Sequence, residues 1–197
     1  MTFFSASTML KNLLDACGAA VAFYTVGYAF AFGGQNTVVG TTFLGFQDFF
    51  LITSGDQPPV DPAYWFFEFA FAATSVTIVA GALAERCQMA AYLCYSVFLT
   101  GFVYPVVAHS VWSNNGFLST GNPTPILPFG AIDFAGSGVV HLTGGTTSLI
   151  ATYILGARKG RFTDARGRKL AEPRTIVGHS MALQMLGTLI LWFGCKL

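Results

Sequence analysis

Residues 133 to 141 read Asp-Phe-Ala-Gly-Ser-Gly-Val-Val-His, and they open an uncharged stretch that runs from Phe134 to Gly156. That run is long enough to cross a bilayer, with an Asp at its start and a His part-way in. If the chain is α-helical from Asp133, the eight steps to His141 cover roughly 12 Å at about 1.5 Å per residue. The hydrocarbon core is about 30 Å thick, so an Asp near one surface puts the His near the midplane. An ionisable side chain at that depth is costly and is a functional candidate on that ground alone. Asp133 is most economically read as the cap of the helix that carries His141.

Four more apolar stretches reach spanning length: Leu13–Phe32, Phe66–Ala84, Ala90–Trp112 and Ile176–Cys195. Their only acids are Asp15 and Glu68, and His109 and His179 lie within about a turn of span ends. Core helices of soluble proteins rarely stay apolar for about 20 residues. Composition agrees: 53% of residues are hydrophobic, 10% are charged, and mean hydropathy is +0.59. A net charge of +1 offers no basic field for nucleic acid. The fold class is all-α, a multi-pass transmembrane helical bundle of about five spans.

Lysine and arginine set the orientation. Lys11 precedes the first span, Arg86 lies between the second and third, and seven of the ten Lys/Arg lie from Arg158 to Arg174. The loops Gly33–Trp65 and Ser113–Asp133 contain none. The positive charges, Lys196 excepted, fall on alternate connections, which the positive-inside rule assigns to the cytoplasm together with the amino terminus. Trp65, Trp112 and Trp192 then lie at the outer interface, where an aromatic belt is common. A secretory signal peptide would also show Lys11, an apolar run and Ala29-Phe30-Ala31. The run is longer than a usual signal core and contains Asp15, which favours a retained span. Cys17, Cys87, Cys94 and Cys195 lie in spans or at cytoplasmic edges, so neither a disulfide framework nor a metal site is expected. No cofactor motif is evident.

Three ordered motifs resemble the ammonium transporters (the Amt/Mep/Rh superfamily), most closely their plant and algal branch. They are Gly81-Ala-Leu-Ala-Glu-Arg86, Gly101-Phe-Val-Tyr-Pro-Val-Val-Ala-His109-Ser-Val-Trp112, and the stretch from Asp133 to His141 followed by Leu-Thr-Gly-Gly. The similarity runs from about Lys11 to Gly194 and implies a partial ammonium transporter domain over residues 1–197. Members of the family have eleven spans built largely from two inverted repeats, a common transporter plan. They assemble as homotrimers with one pore per subunit. By that resemblance the chain begins just before the second span and stops inside the sixth, lacking the first span and most of the second repeat.

The resemblance also implies roles. Trp112 corresponds to the outer recruitment residue, Phe71 to the upper aromatic of a gate, and His141 to the first of two paired histidines in the pore. Asp133 resembles a residue that supports the cation site indirectly. Glu68 departs from the family, whose plant-type members often carry Gln there. The expected substrate is ammonium, conducted as ammonia after deprotonation, and the expected surroundings are the lipid bilayer of the plasma membrane. A dry pore that strips the proton rejects potassium by chemistry, since a bare ion in an apolar medium costs tens of kcal/mol against a few for a neutral polar molecule. No catalytic residue is expected. An intramembrane hydrolase using His141 and Asp133 would need a nucleophile elbow or a second metal-spaced His, and neither is visible. A non-conducting sensor or dominant-negative truncated subunit is the alternative within the resemblance.

The basic loop Ala157–Arg174 carries seven Lys/Arg against Asp164 and Glu172, a net +5. Single cysteines placed in it should react with label from the cytoplasmic face, and cysteines in Ser113–Gly130 should react from outside. Reversed accessibility would overturn the orientation.

Overall fold

The computed structural model describes residues 2–34, 43–53, 55–164, 166–178 and 180–194, the first seven of these as backbone only. Among the described residues it is helical, with no named strand. Helix α1 (Thr2–Ala22) passes through a π turn, Phe23–Gly27, into α2 (Tyr28–Phe32). After a connecting segment comes α3 (Pro62–Leu83). Next α4 (Met89–Phe98) passes through a second π turn, Leu99–Val103, into α5 (Tyr104–Trp112). A third π turn, Ser137–Leu142, leads into α6 (Thr143–Leu155), and α7 spans Met181–Gly194.

The stretches Met9–Phe32, Pro62–Leu83 and Met89–Trp112 are each long and apolar enough to cross a membrane. A 24-residue helix measures about 36 Å, enough for the hydrocarbon core with some tilt. Local chemistry sets their limits. Pro62 takes the first turn of α3, where its missing N–H costs nothing, and the Asp61 carboxylate accepts from Ala63 N at 2.9 Å. The π turn before α5 suits Pro105: i→i+5 pairing, as from Tyr104 N to Leu99 O, absorbs the N–H that proline cannot donate.

The other two stretches differ from the sequence expectation. In the run Phe134–Gly156 helix starts only at Ser137, because Gly136 sits in the left-handed region at φ 82° and breaks the entry. The 12 Å separation between Asp133 and His141, which assumed an α-helix from Asp133 onward, therefore does not hold. In the run Ile176–Cys195 helix occupies only Met181–Gly194, 14 residues or about 21 Å. Residues 173–178 stay irregular, with Pro173 and Gly178 at the ends of that segment. His179, Cys195 and Lys196 lie outside the described residues. Cys17, Cys87 and Cys94 are free.

α3 packs most extensively on α6, α1 on α4 and α3, and α2 on α5. One buried cluster, with Phe23, Tyr28, Phe32, Tyr104, Val139 and Val140, fills the half of the bundle nearer Trp112. A second, with Val76, Val79, Leu83, Tyr92 and Leu99, fills the other half. At that second end the basic residues close the helices. Lys11 Nζ donates to Ala84 O and lies 5.5 Å from the Tyr92 ring centre. Tyr92 in turn donates to Asp15 Oδ2 at 2.6 Å. Arg86 donates to Ala82 O at 2.5 Å and to Gly156 O at 2.9 Å, so one guanidinium serves the last carbonyls of both α3 and α6. Arg158 pairs with Glu85 at 3.1 Å.

Gly144 sets how closely α6 approaches α3. A Cβ there would stand 2.9 Å from Ser75 O and 3.0 Å from Ile78 Cβ, whereas one on Gly145 would meet nothing within 4 Å. Gly144→Val should therefore destabilise the bundle by about 1–3 kcal/mol, while Gly145→Val in the same chain stays within about 0.5 kcal/mol of the parent. Denaturant unfolding in lipid nanodiscs followed by circular dichroism measures both, and equal losses would remove the close-approach explanation.

Candidate functional site

The site is organised by one carboxylate. Asp133 lies in the irregular segment before the third π turn, and its Oδ1 accepts from Ser137 N at 2.7 Å and Ser137 Oγ at 3.1 Å. Its Oδ2 accepts from Gly138 N at 2.9 Å and Val139 N at 2.8 Å. Helix starts leave such N–H groups without intrahelical partners, and a carboxylate there also meets the positive end of the helix dipole. Partial burial pushes the Asp133 carboxyl up, but the bonds from Val139, Ser137 and Gly138 outweigh it and hold it below the ordinary carboxylate range. A carboxylate offers about four lone-pair positions, and four donors occupy them. Asp133 can thus act on a cation through its field but has no lone pair left to grip one.

The backbone of the same residue holds Trp112. The indole Nε1 donates to Asp133 O at 2.6 Å, which fixes the ring at the end of α5 over Gly136. Gly136 is required here: beyond its positive φ, a Cβ would stand 2.5 Å from Val140 Cγ2 and 3.5 Å from Trp112. Trp112 is half-buried and meets Phe71 of α3, with ring centres 5.4 Å apart at 60°. Phe71 meets Phe67 edge-on at 4.9 Å. Three rings therefore line up from Trp112 along one face of α3.

His141 lies in the π turn and is exposed. Its Nδ1 is 3.2 Å from Gly136 O, which also accepts from the amides of Val140 and His141 at 2.9 Å. A carbonyl can only accept, so Nδ1 carries the proton in this arrangement and Nε2 keeps its lone pair. The structure thus joins Asp133, Trp112 and Phe71 by direct contact, and ties His141 to them through the Gly136 turn.

Three features lay beyond the sequence reading. The π turns had one visible signal, Pro105 inside an apolar run. His109, within about a turn of its span end, is fully buried and holds Ala31 O at 2.8 Å, bridging α5 to α2. Tyr104 is fully buried with a hydroxyl that finds no partner, and a tyrosine in an apolar span gave no hint of that. Glu68 is buried at 5% exposure on α3, one turn from Tyr64. Among the described residues no group of His, Cys, Asp and Glu could hold a metal ion.

The chain resembles known proteins over most of its length. The family model described as Ammonium Transporter Family matches residues 5–195. The chain is 48% identical over 192 residues to Ammonium transporter 1 member 3 of Oryza sativa subsp. japonica, covering 96% of this chain and 36% of that protein. It is 45% identical over 186 residues to the protein of that name from Solanum lycopersicum, covering 94% of this chain and 38% of that one. The chain thus spans well under half the length of the relatives it matches. Among solved structures it resembles Candida albicans Mep2, with a TM-score of 0.69 at 30% identity over 92% of this chain and 37% of that one. It also resembles a chain titled Sensor Amt Protein, with a TM-score of 0.68 at 29% identity over 94% of this chain and 43% of that one. These relatives are named as transporters and not as enzymes. A family match across nearly the whole chain, on a bundle shared with solved Amt and Mep proteins, makes this chain a member of the Ammonium Transporter Family.

Proposed function

We propose that this chain forms part of an ammonium path, in which Trp112 recruits the cation, Phe71 gates it and His141 takes part in conduction. The observation that carries the reading is the continuous contact from Asp133 through Trp112 to Phe71 in a chain of this family. An indole face attracts a cation by roughly 0.5–2 kcal/mol, depending on desolvation. Anchoring the indole N–H to Asp133 O orients that face, and the Asp133 charge adds negative potential without binding the ion. The Phe71 ring beneath Trp112 excludes water, and side-chain motion lets a small neutral species pass. His141, with Nε2 free, suits the handling of a proton surrendered on the way. The full assembly is a homotrimer in the plasma membrane, with the amino terminus of this chain cytoplasmic.

A non-conducting, sensing role is the second reading, favoured by the resemblance to the chain titled Sensor Amt Protein. Uptake separates the two. Completed to the length of its relatives and expressed in cells without ammonium transporters, the protein should restore growth on low ammonium. In that protein Trp112→Leu should raise the half-saturating ammonium concentration about 2- to 30-fold, and His141→Ala should cut uptake by about tenfold or more. Surface expression without any uptake would favour the sensor. Unchanged uptake in Trp112→Leu at limiting ammonium would return that residue to an aromatic belt.

Asp133→Asn should cost about 1–3 kcal/mol, because an amide oxygen cannot replace both carboxylate oxygens as acceptor. The folded carboxyl lies below its ordinary value, so its contribution is fully present above about pH 4 and fades only as pH falls through the lowered value. A stability difference between parent and Asp133→Asn that is flat from neutral pH down to about 5 is the expected result. A difference that already shrinks between neutral pH and about 6 would contradict the ionised cap.

A further inference from the structure

The loop between α6 and α7 carries seven of the ten Lys/Arg, and the proposed path does not use it. It folds back on itself through backbone bonds. Leu170 N donates to Phe162 O at 2.9 Å and Asp164 N to Arg168 O at 2.9 Å, with Thr163 and Lys169 bridged across the two arms. Gly167, at φ 76°, helps turn the chain between them. Arg161 N donates to Arg158 O, and Arg174 N returns to Arg161 O at 2.9 Å, so both ends of the loop close at Arg161.

The base of the loop is fixed to the end of a membrane-length helix. Lys159 N donates to Glu85 O at 3.1 Å, and Arg158 pairs with the Glu85 carboxylate at 3.1 Å. Glu85 lies just beyond α3, whose 22 residues measure about 33 Å against a hydrocarbon core of about 30 Å. That match puts Glu85, and the loop that hangs from it, at the level of the lipid headgroups.

The nearby acids are already committed. Asp164 accepts from Arg166 N at 2.8 Å and Arg168 N at 2.9 Å, and it pairs with the Arg168 guanidinium. Glu85 holds Arg158. Among the described residues Lys159, Arg161, Arg166, Lys169 and Arg174 have no ion pair, and Glu172 is the remaining acid of the loop. All of these except Arg161 are exposed. Phe162 is 51% exposed, with the Arg161 guanidinium 5.9 Å from its ring centre.

Open cations beside an uncovered aromatic ring suit a surface that offers phosphate oxygens and, just beneath them, acyl chains. Water serves the cations but not the ring. Basic residues next to a spanning helix are drawn to anionic lipid, and that field fades within about 10 Å. The tether to Glu85 keeps the base of the loop inside that range. An acidic protein segment would match the charge alone.

We propose that this loop binds anionic phospholipid headgroups through Lys159, Arg161, Arg166, Lys169 and Arg174, with the Phe162 ring dipping toward the acyl chains. The site is independent of transport and of which leaflet the loop faces.

The test uses the chain in lipid nanodiscs, with Cys17, Cys87, Cys94 and Cys195 replaced by Ser and an environment-sensitive fluorophore on Thr163→Cys. Phosphatidylcholine is replaced stepwise by phosphatidylserine at constant pH. Emission should shift to the blue and saturate, and raising salt from about 0.05 M to about 0.5 M should reverse the shift. The same label on Thr124→Cys, in the loop without Lys or Arg, should not respond. Replacing Lys159, Arg166, Lys169 and Arg174 together by Gln should weaken the response at least about fivefold, while Arg166→Lys with Arg174→Lys keeps it. Phe162→Ala, which keeps every charge, should need about threefold more phosphatidylserine for the same shift. If the combined Gln variant loses helical content by circular dichroism, Lys159→Gln with Lys169→Gln decides, and an unchanged titration there overturns the site. Equal responses at the two label positions overturn it as a general surface effect, and an unchanged titration in Phe162→Ala overturns the part given to the ring. A shift driven by inorganic phosphate in pure phosphatidylcholine discs overturns it in favour of a free-anion site. A shift driven by a polyglutamate peptide and not by phosphatidylserine overturns it in favour of an acidic protein partner.

Discussion

A chain that enters a bilayer must satisfy every backbone N–H and C=O within itself, and one carboxylate meets that demand where the bundle is irregular. Between Ala131 and Ser137 the backbone is not helical, and Gly136 turns it through the left-handed region. The amides of Ser137, Gly138 and Val139 would be unmet there without Asp133. The cap fixes where the Ser137–Leu142 turn starts, and so where His141 stands. It also places the Asp133 carbonyl for Trp112, and Trp112 rests on Phe71. The geometry of the candidate site follows from a helix-start requirement.

Elsewhere polar groups inside the spans hold helix ends. At the basic end Lys11, Asp15 and Tyr92 form a connected set, with Lys11 taking a free carbonyl of α3's last turn and Tyr92 taking the Asp15 carboxylate. Arg86 does the same for α3 and α6. Residues that orient a membrane protein by their charge here also close helix ends, which ties three connections into one surface.

The apolar faces divide between packed and exposed. α3 is packed on both α1 and α6, and Gly144 brings α6 close. α7 exposes Leu189, Ile190, Trp192 and Phe193, and α6 exposes Leu149, Tyr153 and Ile154. Surfaces of that kind suit lipid or further helices, and small residues let helices approach without a hydrophobic drive.

Much of this was legible in the amino-acid order. Long apolar runs have one fate in lipid, so the helical class followed from length and hydropathy alone, with three of the five expected spans seen as membrane-length helices. The motifs around Asp133, His109–Trp112 and Gly81–Arg86 were sufficient to indicate the family that the comparisons show. What the order of residues could not determine is where regular structure gives way. The π turns, the late start of helix at Ser137 and the short α7 depend on which carbonyl each amide reaches once neighbours are packed. Apolar periodicity is blind to that choice. Nor could it reveal that Asp133 spends its lone pairs on the backbone, that Trp112 donates to the Asp133 carbonyl, or that His109 holds Ala31. The last two join residues 21 and 78 positions apart, and only the tertiary arrangement brings their polar atoms within hydrogen-bond reach.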